Sequence, residues 1–525
     1  MLGAHRHCHV AEPGFPGQPW HKDSYWGYKR MRHHRPMWVM AMYYPQDVTH
    51  TNGPTQIIPG SHLVSTPHGD DFTNEAHLSI PDPRLVNADH YHPPWSKPPA
   101  NFGRQPMDCA VKAGSVVFIH YDIWHHGTLN QDNATRLMFK LQFNRLVDPH
   151  GVPPPWDHVS PKWTHLGDVA SQVIANKLPN SKDKREQRRF SYVANRLRAW
   201  LDIWHWMRGR RYNGRLSLGV EGEATDEQGD VEPAPEVLDA LRTEFLSATA
   251  TDSVHLAAAY GLAAMGHEGV GVLMEGLRDN SDRDIQRRNA AHALSAAGPS
   301  AVGPLVMALG DEILTPWDNF EAQTLDGTPA KDMHRYDHRV AGSRPRSAAA
   351  AALRDSDGGA VERSGMLEAA VVAADDACPA VRRDVAEMLG NALTSAYAQA
   401  PFRLRQDRNT DMVVDALIRL LEGDESDQVR WAAAHSLARL SASGVDVAAA
   451  IGYLNSAFAH DNDRYVVAAA FNALRLIGVW PEKYQPPLGS DVGGDIEDVP
   501  VDLHEKFARV RAEASVRVDK SPGLF

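Results

Sequence analysis

The stretch Asn52-Gly-Pro-Thr-Gln-Ile-Ile-Pro-Gly-Ser-His62 places a short β-prone run between two groups of turn residues. Asn52-Gly-Pro54 and Pro59-Gly60 are typical of turns, because glycine and proline punctuate regular structure. The run between them, Thr55-Gln-Ile-Ile58, predicts a strand. Similar β-prone runs occur at Trp38–Tyr44, Ser115–Ile119 and Leu137–Phe143. Short strands separated by long excursions favour a barrel or double-sheet β architecture over βαβ units.

Candidate metal ligands occur on both sides of this stretch. His21 and Asp23 form an H-x-D pair. Their side chains would share one face of an extended segment, because side chains repeat every second residue along a strand. A distal histidine and then Arg136 follow in residues 115–136. Two histidines and one carboxylate on one face of a metal leave three positions open, which is typical of iron(II) oxygenases.

Bulk composition sets limits on the class of protein. The 525 residues are enough for two or three domains, and their net charge of −12 argues against general nucleic-acid binding. We expect no transmembrane helix, because no apolar stretch of about 18 residues occurs. Three widely separated cysteines and the lack of a signal-peptide core predict a cytoplasmic location.

A motif recurs in the second half of the chain. Its copies combine small residues with a V-[RH]…A-A…L spacing, which predicts stacked helix pairs of a HEAT-like solenoid. The copies are residues 253–262, 284–294, 380–389, 428–437 and 464–474.

These patterns divide the chain into four parts. Residues 1–160 are expected to form the β domain, and residues 161–235 a helical extension with an acidic linker. Residues 236–480 would form the solenoid, with an irregular insertion near 312–346. Residues 481–525 would be a tail that contains a capping helix.

The β domain resembles the phytanoyl-CoA dioxygenase family of iron(II)- and 2-oxoglutarate-dependent oxygenases. The residues that carry the resemblance are His21-Lys-Asp23, the block from Asn52 to His62, and residues 125–136. The resemblance implies a double-stranded β-helix of the jelly-roll or cupin type. It also implies the cofactor Fe(II), the cosubstrates 2-oxoglutarate and O2, and a small organic substrate that is hydroxylated.

Two adjacent histidines compete for the position of the third metal ligand. His125 lies five residues before Asn130 and eleven before Arg136, which fits the family pattern H-x-x-x-x-N-…-R. His126 immediately precedes Gly127, and many family members have an H-G pair. Only one of the two can be a ligand, because neighbouring side chains on a strand face opposite ways. We favour His125.

The resemblance also suggests residues that bind the cosubstrate. Arg136 carries a permanently charged fork that suits the distal carboxylate of 2-oxoglutarate, and the Thr128 hydroxyl could add a contact. One departure from the family concerns the N-terminus. Members usually have a much longer segment before the H-x-D pair, so we expect either that the barrel is N-terminally truncated or that it is completed in an unusual way.

Two further interpretations remain open at this stage. The chain could be a non-catalytic scaffold, in which the solenoid binds a protein partner and the β domain is degenerate. A zinc hydrolase with the same ligands is also conceivable, but it would leave Arg136 unexplained. The oxygenase hypothesis accounts for His, Asp, His and Arg together.

Overall fold

The computed structural model describes the β-strands of the N-terminal part and the helices of the C-terminal part. The described residues are 2–18, 37–59, 62, 106–121, 123–147, 235–247, 252–263, 265–279, 284–310, 343–356, 363–399 and 408–479. The predicted helical extension and linker, residues 63–105, and the tail lie outside this set. So do His21 and Asp23.

Seven strands form two antiparallel sheets in the described part of residues 1–147. The first sheet has four strands in the order β1-β7-β2-β5, and the second has three in the order β4-β3-β6. The four runs predicted to be strands are β2, β3, β5 and β7. The strand bounds are β1 Leu2–Ala11, β2 Trp38–Tyr44, β3 Thr55–Ile57, β4 Met107–Asp108, β5 Ser115–His120, β6 His125–Gly127 and β7 Arg136–Asn144.

Strand β7 shows how the inner face of the first sheet is built. Its side chains alternate strictly, and every second residue from Arg136 to Asn144 is buried. Tyr44 at the end of β2 donates its hydroxyl to Thr55 Oγ1 of the second sheet at 3.3 Å. The inner face of the first sheet therefore looks towards the second sheet, and Arg136 lies on that inner face.

Helices in two layers make up the described C-terminal residues. The second helix of each pair packs on the second helix of the next pair, from α2 through α4, α6, α8 and α10 to α12. The helix bounds are α1 Pro235–Leu246, α2 Asp252–Ala263, α3 His267–Arg278, α4 Asp284–Ala296, α5 Pro299–Gly310, α6 Ser343–Asp355, α7 Arg363–Ala373, α8 Pro379–Gln399, α9 Arg408–Gly423, α10 Asp427–Ala442, α11 Ile451–His460 and α12 Arg464–Ile477. All five predicted motif copies fall on second helices. The copy on α6 was missed, because its polyalanine run lacks the V-[RH] start.

Bidentate ion pairs tie each of three successive second helices to the next helix pair. Arg382 on α8 donates to both carboxylate oxygens of Asp424 at 2.6 and 2.9 Å. Arg430, 48 positions later on α10 (430 − 382), binds Asp461 in the same way. Arg346 on α6 repeats the arrangement with Asp376. Planar guanidinium groups suit this geometry, which fixes the register of the stack.

The β-sheets and the solenoid belong to one compact unit, residues 1–481, and residues 482–525 form a second. Within the first unit, Trp38 of β2 packs edge-on against Trp431 of α10, with ring centroids 6.3 Å apart. Strand β1 also contacts α12. Buried residues of the sheets and of the helices join in a single apolar cluster. None of the helices in the described ranges is long and apolar enough to cross a bilayer.

Candidate functional site

The structure describes part of the predicted metal site. His125 lies on β6 and is 5% exposed. The other two predicted ligands, His21 and Asp23, lie outside the described residues. Within the described ranges, no group of three or more His, Cys, Asp or Glu side chains is placed to hold a metal. That the three ligands meet at one point remains a prediction.

A hydrogen bond to the backbone orients the His125 ring. Its Nδ1 lies 2.9 Å from the carbonyl oxygen of Ile123, which can only accept. Nδ1 therefore donates a proton to this carbonyl oxygen. Metal-binding histidines commonly donate their other ring nitrogen to a backbone carbonyl, which fixes the ring. The local structure of His125 fits this role.

His126 has a different environment. Its Nδ1 lies 3.1 Å from the carbonyl oxygen of Gln18, and its Nε2 lies 2.8 Å from Gln56 Oε1. Both ring nitrogens are thus engaged by oxygen atoms of the protein. Gln56 and His126 also pair across β3 and β6, so this contact follows from the strand register. Which of the two histidines is the third ligand remains a prediction.

Asn130 organises the turn that leads from β6 to Arg136. It is fully buried, and its side-chain amide donates to the carbonyl oxygens of Ala11 at 2.8 Å and Ala134 at 3.0 Å. Its backbone amide donates to the Phe15 carbonyl oxygen at 3.0 Å. Asn130 therefore holds the N-terminal strand segment and the β6–β7 turn together. This gives a structural reason for asparagine five residues after His125.

Gly53 anchors the Arg136 side chain. The Gly53 carbonyl oxygen accepts from Arg136 Nε at 3.0 Å and from Nη2 at 2.5 Å. Gly53 has a φ of +77°, and an added Cβ would lie 3.2 Å from the Thr128 carbonyl oxygen and from Asn130 Cβ. Glycine is the residue that adopts this conformation without strain. The Asn-Gly pair of the opening motif thus positions the carbonyl that holds Arg136.

The charge of Arg136 is not balanced by any described residue. The side chain is 3% exposed, and its Nη1 has no hydrogen-bond partner among the described residues. Burial lowers the pKa of Arg136, which reflects the cost of removing the cation from water. Arg382 and Arg430, by contrast, each bind an aspartate. A buried cation with one unsatisfied N–H group fits a carboxylate ligand.

Tyr44 interacts electrostatically with Arg136 and donates to Thr55 Oγ1, and sequence reasoning did not single it out. Tyr44 is fully buried, and burial raises its pKa to about 12. An electrostatic interaction with Arg136 opposes that rise. The phenol therefore stays protonated near neutral pH and can act as a hydrogen-bond donor. No motif marks Tyr44, because its position depends on which face of β2 turns inward.

Gln142 is a second residue that the sequence did not single out. It shares the inner face of β7 with Arg136 and is 1% exposed. Neither amide atom of Gln142 has a hydrogen-bond partner among the described residues. The two-residue alternation that starts at Arg136 could have identified it, since a glutamine at an inward position is unusual for a core.

Thr128 does not present its hydroxyl proton to the space near Arg136. Its Oγ1 donates to the Pro54 carbonyl oxygen at 2.8 Å. A carboxylate needs a donor, and this hydroxyl has only one proton. In the observed arrangement, Thr128 braces the turn after β6, and the single Tyr44 hydroxyl proton is likewise engaged, by Thr55 Oγ1.

Comparisons with known families agree with the two halves of the fold. Residues 3–138 match the sequence profile of the phytanoyl-CoA dioxygenase (PhyH) family, and residues 367–475 match that of HEAT repeats. The chain thus joins a PhyH-like domain to HEAT repeats. Both resemblances inferred from the motifs are confirmed. No curated protein matches the chain.

Solved structures resemble each half separately. The non-haem monooxygenase ThoJ is 15% identical over 28% of this chain and 46% of its own, with a TM-score of 0.18. The α-ketoglutarate-dependent carbocyclase SnoK from nogalamycin biosynthesis is 18% identical over 28% of this chain and 50% of its own, with a TM-score of 0.19. This chain therefore spans about half the length of these two oxygenases. Kap121p is 17% identical over 61% of this chain and 30% of its own, with a TM-score of 0.36.

Proposed function

We propose that residues 1–160 form an Fe(II)/2-oxoglutarate-dependent dioxygenase domain of the jelly-roll type, which hydroxylates a small organic substrate. The observation that carries this proposal is the buried guanidinium of Arg136, whose charge no described residue balances. Burial of an ion without a partner is costly, and a ligand that pairs with it would remove that cost. A dicarboxylate that enters the site would supply the missing charge.

Two groups of residues would bind the two ends of the cosubstrate. His21, Asp23 and His125 would hold the iron, and the Ile123 carbonyl oxygen orients the His125 ring by accepting from Nδ1. When bound, iron and 2-oxoglutarate supply the oxidation of the substrate by O2. Arg136 would hold the distal carboxylate of 2-oxoglutarate through its remaining N–H groups.

Neighbouring residues of the chain prepare this site. Gly53 fixes Arg136 in one orientation before the ligand arrives, so less entropy is lost on binding. Tyr44 adds a neutral phenol near the guanidinium, and its hydroxyl is held by Thr55 Oγ1. Met40 and Met42, both fully or almost fully buried on the inner face of β2, exclude water from the space between the sheets. Exclusion of water strengthens the ion pair that Arg136 would form.

The HEAT repeats support a role in protein interaction, and we propose a protein partner for the solenoid of residues 236–480. Residues 161–235 would connect the two folded parts, and residues 481–525 would end the chain as a tail. A cytoplasmic location is part of this proposal.

The test compares two adjacent histidines in the full-length chain. Anaerobic titration calorimetry with Mn(II) would measure metal binding, and succinate release would measure turnover of 2-oxoglutarate. We expect His125→Ala to abolish both, whereas His126→Ala keeps metal binding within a few fold, because its ring nitrogens already bind protein oxygens. His21→Ala and Asp23→Ala should behave like His125→Ala. A wild-type chain that binds no metal would overturn the proposal and favour the scaffold.

A further inference from the structure

The contact between the solenoid and the β domain includes a pair of tryptophans, one from each part, and both are buried. Trp431 on α10 is 4% exposed, and Trp38 at the start of β2 is 5% exposed. Their ring centroids lie 6.3 Å apart at an interplanar angle of 63°. On its other side, Trp431 stacks on His435, one helical turn later, with centroids 5.1 Å apart.

Comparison of the repeats shows that repeat stacking does not require a tryptophan at position 431. Arg382 and Arg430 occupy the same repeat position, because each forms the bidentate pair with the next loop. The following position is therefore equivalent in the two copies, and it is Arg383 on α8 and Trp431 on α10. Arg383 binds Asp384 and Gln428 within the solenoid. Trp431 instead packs against the β domain.

A short series of contacts leads from Trp431 to the candidate metal ligand. The Trp38 ring meets the Tyr121 ring edge-on, with centroids 6.2 Å apart. The Tyr121 backbone amide also donates to the Trp38 carbonyl oxygen at 3.3 Å. Tyr121 is fully buried and opens the turn between β5 and β6. Two residues later, the Ile123 carbonyl oxygen accepts the Nδ1 proton of His125.

The turn that carries His125 is thus held from two sides. The second sheet holds one side, because the Ile58 backbone amide donates to the Trp124 carbonyl oxygen at 2.9 Å. Trp38 and Tyr121 form the other side, and Trp431 closes the packing behind Trp38. Aromatic pairs with this edge-on geometry contribute beyond the apolar area that they bury. Loss of the Trp431 indole would leave a cavity next to Trp38.

We propose that Trp431 is a positioning residue, through which the HEAT solenoid fixes the β5–β6 turn and the orientation of His125. The solenoid would then have a partner within its own chain, in addition to any external one. The proposal deepens the proposed function, since His125 is the expected iron ligand. The conformational part, from Trp431 to the turn, does not depend on the metal.

The experiment uses the full-length chain and hydrogen–deuterium exchange of peptides that cover residues 120–127. Trp431→Ala should raise their exchange rate roughly 3- to 30-fold, the range expected for coupling through packed side chains. Trp431→Phe should restore most of the protection. The matched control is Phe458→Ala, which removes an aromatic from the Phe458–Phe471 pair of the same solenoid, 5.7 Å between centroids. The control should raise exchange in α11 and α12 but not in residues 120–127.

A double-mutant cycle covers the possibility that Trp431→Ala fails to fold. Trp38→Phe and Trp431→Phe are milder, and their effects on exchange in residues 120–127 should be non-additive, because both act through one contact. Mn(II) affinity should fall with the same series of variants. Additive effects, or equal exchange of residues 120–127 in Trp431→Ala and Phe458→Ala, would overturn the proposal. If wild type binds no Mn(II) while exchange responds to Trp431, the proposed function fails and the coupling stands.

Discussion

Replacement of Arg136 by methionine tests whether its charge awaits an external anion. Methionine keeps an unbranched apolar stem of similar length and removes the guanidinium. The structure shows hydrogen bonds from Arg136 to one acceptor, the Gly53 carbonyl oxygen. The variant loses those bonds, and it also loses a buried charge without a described counter-charge.

The magnitude follows from the two opposing terms. A hydrogen bond to a charged group contributes about 1.5–3 kcal/mol, whereas burial of an unpaired ion costs several kcal/mol. We therefore expect the ligand-free Arg136→Met chain to be as stable as wild type, to within about 1 kcal/mol, or more stable. Arg382→Met is the control. It leaves the carboxylate of Asp424, whose side chain is 4% exposed, buried without its partner. Such a loss costs about 3–5 kcal/mol.

For 2-oxoglutarate binding, Arg136→Met should be the damaging variant and Arg382→Met the harmless one, the reverse of their effects on stability. Truncation of one member of a buried charge pair costs about 2–5 kcal/mol, which is roughly 30-fold or more in affinity. Titration calorimetry on the Mn(II)-loaded full chain measures this, with pyruvate as a ligand that lacks the distal carboxylate. Arg136→Met should weaken 2-oxoglutarate and leave pyruvate unchanged, and Arg382→Met should affect neither. If Arg136→Met loses several kcal/mol without ligand, or binds 2-oxoglutarate normally, the guanidinium is already paired within the chain and our reasoning is wrong.

Three further outcomes are expected. Gly53→Ala should lower the free energy of unfolding by about 1–2 kcal/mol and weaken 2-oxoglutarate binding. Gly114 is the control, because it has a φ of +82° and nothing within 4 Å of an added Cβ, so Gly114→Ala should cost less and leave binding intact. Denaturant unfolding measures the stability of both variants, and calorimetry measures their binding. The folded-state pKa of Tyr44 is raised to about 12 from an ordinary value of 10.0, so its stabilising contribution is complete below pH 10 and is lost as the pH rises towards 12. Tyr44→Phe should flatten that part of the pH–stability curve, and an unchanged curve would contradict the assignment. Of the three thiols, the exposed Cys8 should react rapidly with a disulfide reagent under native conditions and the two buried ones only after unfolding, so rapid reaction of a second thiol would refute the packing.

Local patterns predicted the secondary structure well. Trp38–Tyr44 forms a strand with the predicted bounds, two other predicted strands differ by one residue at one end, and the strand predicted at Leu137–Phe143 extends one residue further at both ends. The alternation of apolar and polar residues determines these elements locally. The same holds for the second helices of the solenoid, where small residues and a repeated spacing are visible in the sequence. The copy on α6 was not predicted, because a run of alanines indicates a helix but not its position within a repeat.

The arrangement of the candidate site could be predicted only in part. The sequence indicated Arg136 and His125, because each has a recognisable spacing. The sequence could not indicate that the Gly53 carbonyl holds Arg136, because this contact joins residues 83 positions apart and depends on how the two sheets face each other. Tyr44 and Gln142 were missed for the same reason, since an inward side chain is defined by the completed sheet.

The contact between Trp38 and Trp431 could not be predicted from local sequence. Trp38 fits the end of an apolar strand and Trp431 fits a repeat helix, so neither residue by itself indicates that the two meet. Only their meeting gives position 431 a role that its counterpart, Arg383, does not have.

The partners of other buried arginines can be compared with those of Arg136. Arg354, like Arg136, is almost completely buried, and it binds the carboxylates of Asp355 and Glu387. Arg382 and Arg430 each bind an aspartate in a bidentate manner. For these three arginines of the solenoid, burial is therefore accompanied by a carboxylate from the chain, whereas the fully buried Arg439 donates to the side-chain amide oxygen of Asn391. At Arg136 the described residues supply a carbonyl oxygen and a phenol instead. We propose that a ligand supplies the carboxylate at Arg136, and a dicarboxylate whose other end reaches His125 would provide it.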